Sequence, residues 1–116
     1  RLDPRGPVDL DRRSWLRLLR GQYPVEARLD LHGLSQIEAH EALQRFVAEG
    51  QARGLRCVLV ITGRGRGSGG TLRQAAPRWL DEPPNRGRVL AYTPAQRRHG
   101  GEGALYVLLR RRSGSD

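Results

Sequence analysis

The chain has 116 residues, 37% of them hydrophobic, which suffices for one modest core but not for two. No apolar run approaches membrane-spanning length and no segment resembles a secretory signal, so we expect a soluble, cytoplasmic protein. The formal net charge is +9 and all 21 basic residues are arginine. GC-rich codons explain part of this preference for arginine. The charge itself favours a polyanionic partner, above all nucleic acid, because arginine can fork onto phosphate.

The N-terminal region is predicted to be a basic arm over residues 1–26 that carries a short helix. Asp11 is a candidate N-cap for this helix, and Gly21 is a candidate stop. Residues 27–112 are predicted to form the folded domain, and residues 113–116 a frayed tail.

The first strand is predicted over residues 28–32. Ser35 followed by Glu38 has the spacing of a capping box, so a helix should begin there and end at Gly54. Residues 56–62 are almost continuously apolar, which is typical of a strand covered on both faces.

The middle of the chain is predicted to be a flexible loop over residues 63–70, followed by a helix that Thr71 opens. Pro77 lies inside that helix and is expected to bend or shorten it. Cys57 is a lone cysteine within an apolar run, and we expect a buried thiol rather than a disulfide.

Two more strands are predicted, over residues 88–92 and 104–110, joined by a hairpin loop over residues 94–103. The order is therefore β-α-β-α-β-β behind a short helix. Right-handed crossovers make the first three strands parallel, and the hairpin makes the fourth antiparallel. This order places the loops after strands one and two and the hairpin loop at one edge of the sheet.

The segment Leu29-Asp30-Leu31-His32-Gly33 is the most informative in the chain. Side chains alternate along a strand, so Asp30 and His32 share one face while the two leucines enter the core. A carboxylate that orients an imidazole is a plausible acid–base pair, because histidine titrates near neutrality. The alternative is a device for entering the next helix, in which Asp30 bonds backbone amides.

The segment Gly63-Arg64-Gly65-Arg66-Gly67 precedes a helix N-terminus. Glycines let backbone amides approach phosphate, and a helix N-terminus favours an anion. The segment is not a Walker loop, since the terminal Gly-Lys-Ser/Thr is missing. A disordered glycine-rich linker is the alternative.

The hairpin loop combines two arginines, a histidine and glycines. It reads Arg97, Arg98, His99, Gly100, Gly101, Glu102 and Gly103. Such a loop could close over a nucleic-acid backbone; the alternative is a solvated hairpin tip. Glu102 would have to point away from phosphate, hold an arginine or bind a metal.

Three segments together resemble the small MutS-related (Smr) domain. They are Leu29–Gly33, Thr62–Gly65 and His99–Ala104, in the family's order and near its spacing. The Gly-Arg repeat is longer than the family's minimal turn. The chain shows no ATPase or mismatch-recognition module, so it is expected to be a stand-alone Smr/MutS family protein.

The resemblance implies an α/β two-layer sandwich with a mixed β-α-β-α-β-β sheet, similar to the C-terminal domain of bacterial translation initiation factor 3. It also implies nucleic-acid binding and, in many members, endonuclease activity. Asp30 and His32 correspond to the likely catalytic pair of the family. The implied nucleic-acid-binding residues are Gly33, Gly63, Arg64, Gly65, Arg66, Gly67, Arg97, Arg98, His99, Gly100, Gly101 and Gly103.

The sequence therefore predicts an endonuclease that cleaves phosphodiesters in RNA, or nicks DNA, with Asp30 and His32 as an acid–base pair. No cofactor is required in this hypothesis, with Mg²⁺ as an option, and the partners are nucleic acid and the ribosome, without a membrane. The main alternative is a non-catalytic nucleic-acid or ribosome-binding module. Others are a metal-dependent nuclease that adds His99 or Glu102 as ligands, and a protein adaptor.

Overall fold

The computed structural model describes residue 7, residues 9–65 and residues 68–112, without the side chains of residues 68 and 69. Most of the N-terminal arm before residue 9 and the tail at 113–116 lie outside the described residues. The helices are α1 (Arg12–Leu19), α2 (Gln36–Ala52) and α3 (Ser68–Leu80), and the strands are β1 (Arg28–Asp30), β2 (Cys57–Ile61), β3 (Val89–Pro94) and β4 (Ala104–Leu109). This confirms the predicted β-α-β-α-β-β order. No helix in the described part of the chain is long and apolar enough to cross a membrane.

The four strands form one mixed sheet in the order β1-β2-β4-β3. β1 pairs with β2 in parallel, and β4 pairs antiparallel with both β2 and β3. The first three strands therefore run in one direction and the fourth runs against them, as predicted. Chain order does not reveal that β4 lies between β2 and β3.

The sheet is covered on both faces. One face packs against α2 and α3, with Val58 and Val60 of β2 in that cluster. The other face packs against α1, with Cys57 and Leu59 of β2 in the second cluster. The alternation along β2 confirms a strand buried on both faces. Burial also raises the pKa of the Cys57 thiol to about 12, and the nearby charge of Glu26 adds to this effect.

The helix starts follow from local capping. Asp11 accepts a hydrogen bond from the Ser14 amide at 2.9 Å and caps α1. Ser35 and Glu38 make both hydrogen bonds of the predicted capping box at the start of α2. Each cap pairs amides that the first helical turn leaves without an intrahelical acceptor.

Several predicted boundaries are wrong. β1 ends at Asp30 rather than at residue 32, because the Leu34 amide turns back to the Leu31 carbonyl at 3.1 Å. α3 begins at Ser68 rather than Thr71, so part of the glycine-rich segment is helical. A Cβ on Gly70 would lie 3.2 Å from the Gly65 carbonyl oxygen, a tight contact, so glycine eases the approach of the loop to the start of the helix.

Other boundaries shift by fewer residues. β3 spans Val89–Pro94 rather than 88–92, and β4 ends at Leu109 rather than at residue 110. The helix that contains Pro77 continues to Leu80. Proline removes one backbone donor there, and the packing of α3 on the sheet maintains the remaining helix.

A substitution at Leu18 measures how much the packing of α1 on the sheet stabilises the protein, because the Leu18 side chain is fully buried in the second cluster. Leu18→Ala should lower the free energy of unfolding by about 2 to 5 kcal/mol, through lost burial and a residual cavity. Urea denaturation measures this change. Leu16→Ala, on the outer side of the same helix, is the control and should cost less. Equal costs would mean that α1 does not pack as described.

Candidate functional site

Three loops meet at one edge of the sheet, which we call the loop edge and define as residues 31–34, 62–65 and 95–103. The Leu31 amide donates to the Ile61 carbonyl at 2.7 Å. The Gly103 carbonyl accepts from the amides of Thr62 at 2.8 Å and Gly63 at 3.0 Å. These hydrogen bonds join the loops side by side and confirm the convergence that the element order predicts.

Asp30 and His32 are in direct contact at this edge. The His32 Nδ1 atom lies 2.8 Å from Asp30 Oδ1, and the His32 amide donates to the same oxygen at 3.0 Å. Leu31, between them, is fully buried. The predicted alternation therefore holds across the end of β1. The hydrogen bond from the His32 amide also supports part of the alternative interpretation, in which Asp30 bonds backbone amides at the entry to the next helix.

The hydrogen bond selects one tautomer of the His32 ring. An ionised carboxylate only accepts, so the Nδ1 atom of His32 carries the hydrogen that Asp30 receives. In a neutral ring, the Nε2 atom then keeps its lone pair and can accept a proton. Both side chains are open to solvent, with 68% of His32 and 51% of Asp30 exposed. The pair is therefore reachable by a large substrate.

The pair also alters the acidity of Asp30. Partial burial raises the pKa of this carboxyl, but the hydrogen bonds from the His32 ring and amide outweigh it, and the pKa lies below its usual 3.8. Because this pKa lies below 3.8, Asp30 is ionised at neutral pH. Its ionisation stabilises the fold at any pH above the pKa of Asp30 in the unfolded chain, and this stability is lost as the pH falls through the pKa in the folded protein.

Gly33 completes the turn after His32. Its φ of +86° lies in the left-handed region, where a side chain would be strained. A Cβ would meet nothing within 4 Å, so conformation rather than space explains the glycine. This sharp turn lets α2 begin soon after the Asp30–His32 pair.

The glycine-rich loop lies next to the hairpin loop. Arg64 and Gly65 are exposed, while Arg66 and Gly67 lie outside the described residues. A Cβ on Gly103 would lie 3.2 Å from both the Arg64 Cγ atom and the Gly63 carbonyl carbon. Glycine at position 103 thus allows the two loops to approach closely and keeps Arg64 at the loop edge.

The glycine amides of these loops already have acceptors within the protein. Gly63 donates to Gly103, Gly100 to Arg97, Gly101 to Gln96 and Gly103 to Gly100, at 3.0 to 3.1 Å. These four amides are therefore engaged in holding the loops. Arginine side chains of the loop edge can supply positive charge that these four amides do not.

His99 packs on the sheet through Tyr106. The Tyr106 hydroxyl hydrogen-bonds to His99 Nδ1 and accepts from the Gln96 amide at 3.3 Å. Partial burial lowers the pKa of His99 below its usual 6.5, and the charges of Arg98 and Arg28 lower it further. A neutral His99 that accepts the Tyr106 hydrogen at Nδ1 carries its own hydrogen on Nε2. It is then a hydrogen-bond donor.

Glu102 pairs with an arginine, one of the three arrangements that the sequence allows. Its carboxylate lies 3.3 Å from the Arg73 guanidinium of α3, with both groups exposed to solvent. Among the described residues, no three His, Cys, Asp or Glu side chains come together as a potential metal site.

Comparison with known proteins identifies the family. The family model of the Smr domain matches residues 29–110. The chain belongs to the Smr domain family.

Two solved structures agree with this assignment. Stand-alone small MutS-related protein YdaL from Escherichia coli is 36% identical, with a TM-score of 0.76 over 90% of this chain and 79% of that chain. The Smr domain of Thermus thermophilus MutS2 is 32% identical, with a TM-score of 0.64 over 72% of this chain and 98% of that chain. The predicted fold class is therefore confirmed.

Curated relatives carry a functional name. Ribosome rescue factor SmrB from Escherichia coli O9:H4 and from Salmonella paratyphi B are each 34% identical over 93% of this chain. The chain spans 58% of the length of these relatives.

Arg28 lies one residue before the matched Smr segment and is a basic residue near the Asp30–His32 pair that the sequence motifs did not single out. It lies opposite Leu59 in the sheet, and Asp30 lies opposite Ile61. Both partners belong to the cluster on the α1 face, so Arg28 and Asp30 share that face. The alternation that selected Asp30 and His32 also includes position 28, so the signal was present. Nothing in the sequence indicates that Tyr106 holds His99.

The His32 hydrogen bonds predict a measurable shift at Asp30. In His32→Ala the ring donor is lost, so the pKa of Asp30 should rise relative to the wild-type domain. NMR titration of the carboxyl carbon measures it directly. His40→Ala, on α2, is a matched control and should leave the pKa unchanged. An Asp30 pKa that is the same in all three proteins would contradict the described pair.

Proposed function

We propose that this Smr domain binds RNA at the loop edge and does so at the ribosome. The observation that carries the proposal is that exposed arginines lie at the same edge of the sheet as the Asp30–His32 pair. Arg64 and Arg97 are exposed at the loop edge, and Arg28 lies on the same strand face as Asp30. Guanidinium groups bind phosphate with two parallel hydrogen bonds, and the chain has a net charge of +9.

The names of the relatives support the ribosome as the place of action. Relatives called ribosome rescue factors align with nearly the whole of this chain. Ribosomal RNA and messenger RNA are both polyanions that a basic loop edge can contact. The proposal therefore includes cytoplasmic location.

The binding site is proposed to comprise the exposed arginines and the glycines that shape the loops. It includes all the nucleic-acid-binding residues that the resemblance implies, among them Gly33, His99 and the two positions outside the described residues. The engaged amides support a structural role for Gly63, Gly100, Gly101 and Gly103 within this site.

Removing two site arginines should weaken binding to RNA. Arg64→Gln with Arg97→Gln should reduce the magnitude of the salt slope of log K by about 1.4, since each phosphate contact on a single strand contributes about 0.7. Fluorescence anisotropy with a labelled single-stranded RNA over a salt series measures this slope.

The control has the same loss of charge elsewhere. Arg45→Gln with Arg78→Gln removes two exposed arginines from α2 and α3, on the opposite face of the sheet. It should change the slope less. Equal slopes in the two variants would mean that net charge, and not the loop edge, determines binding.

Phosphodiester cleavage is a second function that the geometry of Asp30 and His32 favours. In RNA, the Nε2 atom of His32 would accept the proton of a 2′-hydroxyl while the 2′ oxygen attacks phosphorus and the 5′ oxygen leaves. The leaving oxygen takes a proton from water or from a neighbouring donor. Asp30 would hold the His32 tautomer and stabilise the imidazolium that forms, and nearby arginines would stabilise the charge on phosphorus.

A cleavage assay separates the two functions. If the pair is catalytic, His32→Ala should lower the rate of RNA cleavage by about 10² to 10⁴, while RNA affinity changes little. Wild type, His32→Ala and the control His40→Ala are incubated with end-labelled RNA and with supercoiled DNA, in Mg²⁺ and in EDTA. Cyclic 2′,3′-phosphate ends formed in EDTA would support the acid–base mechanism.

Other outcomes of this assay lead to different assignments. DNA nicking that requires metal would instead make Asp30 and His32 candidate metal ligands. Binding without cleavage of either substrate would leave the RNA-binding function and remove the catalytic one. Loss of binding alone in His32→Ala would contradict a catalytic role for this residue.

A further inference from the structure

Helix α1 is basic on the side that does not pack against the sheet. Its inner side buries Trp15 and Leu18 in the second cluster. Its outer side carries four exposed arginines. They are Arg12, Arg13, Arg17 and Arg20, and we call them the basic ridge.

The basic ridge borders a shallow surface depression of about 490 Å³. Its lining residues are Arg12, Arg13, Leu16, Arg17, Arg20 and Gln22. No carboxylate is among them. The nearest acidic residues in sequence are already engaged, since Asp11 caps α1 and Asp9 pairs with Arg110 at 2.8 Å. Four of the six lining residues are therefore arginines, and one of them, Arg13, has the Asp11 carboxylate as a nearby opposite charge.

The helix dipole does not favour the position of two of these arginines. Arg12 and Arg13 lie in the first turn of α1, which contains no acidic residue. The amino end of a helix has partial positive charge, so cations are unfavourable there. A polyanion bound at the ridge would offset this repulsion.

Arg17 is held in place before any ligand binds. Its guanidinium carbon lies 4.2 Å from the centre of the Tyr23 ring, and Tyr23 is buried. Stacking on an aromatic face restricts the side chain while leaving the N–H edges of the guanidinium able to donate. Less conformational freedom is then lost when those edges meet a phosphate.

The helix that carries the basic ridge is hydrogen-bonded at its carboxyl end to the loop edge. The side-chain Nε2 atom of Gln96 donates to the Leu19 carbonyl at 2.7 Å, and the Arg98 guanidinium donates to the Gly21 carbonyl at 2.9 Å. The hairpin loop is thus bonded to the carboxyl end of α1. Both the ridge and Asp30 lie on the same face of the sheet, because Ile61 opposite Asp30 packs in the cluster that contains α1.

We propose that the basic ridge is a second binding segment for the same single-stranded nucleic acid that occupies the loop edge. The strand would run from the Asp30–His32 pair past the hairpin loop and onto α1, with its phosphates on the arginines. This inference rests on the proposed binding function of the loop edge. It assigns to α1 a contact that lies outside the matched Smr segment of residues 29–110.

The test uses the two arginines whose positions are unfavourable for the helix. Arg12→Gln with Arg13→Gln should not destabilise the protein, and a thermal melt checks this. Its affinity for a labelled 30-nucleotide single-stranded RNA at 0.1 M salt should fall on the order of ten-fold. The salt slope should decrease in magnitude by about 1.4, as expected for two lost phosphate contacts. Arg45→Gln with Arg78→Gln is the control of equal charge.

Each outcome decides the proposal. A smaller slope in the α1 variant than in the control supports the ridge as a binding segment. The same slope in wild type and α1 variant, or equal losses in variant and control, would overturn it. If the wild type shows no RNA binding at all, the proposed function fails together with the ridge, whereas loss confined to Arg64→Gln with Arg97→Gln supports the loop edge alone.

Discussion

The position of β4 between β2 and β3 is the constraint on which the site depends. All six residues of β4 are buried, and the strand pairs along its length on both sides. Because β4 begins beside the end of β2, the carbonyl of Gly103 can accept from both Thr62 and Gly63. The same strand positions Tyr106 to hold His99. The register of β4 thus joins the glycine-rich loop to the hairpin loop and orients the side chain of His99.

The loop edge combines hydrogen-bonded loops with exposed charged side chains. Backbone amides that could contact phosphate are used to hold the glycine-rich turns together. Exposed arginine side chains at the loop edge supply positive charge instead. Arginines also change the acidity of His99, since the charges of Arg98 and Arg28 help to lower its pKa. The positive charge of the arginines therefore favours the neutral form of His99. A neutral His99 can donate a hydrogen bond to phosphate without adding to the repulsion among the positive side chains.

Most of the fold could be predicted because its signals are local. The capping box at Ser35 and the alternation at Asp30 and His32 each depend on residues only two or three apart, and both are present in the structure. Boundaries were less accurate where packing competes with propensity. Glycines at 69 and 70 favour a loop on their own, yet they are helical because α3 packs on the sheet.

By itself, the sequence determined the family, the element order and the adjacency of Asp30 and His32, because these follow from short-range patterns and from three motifs that occur in the family's order. Tertiary structure decided which strand lies in the middle of the sheet, which glycine amides are engaged in hydrogen bonds between the loops, and which partner holds His99. It also placed Arg28 and α1 on the same face as the Asp30–His32 pair. These features join residues far apart in the chain, and only strand pairing and core packing bring such residues together.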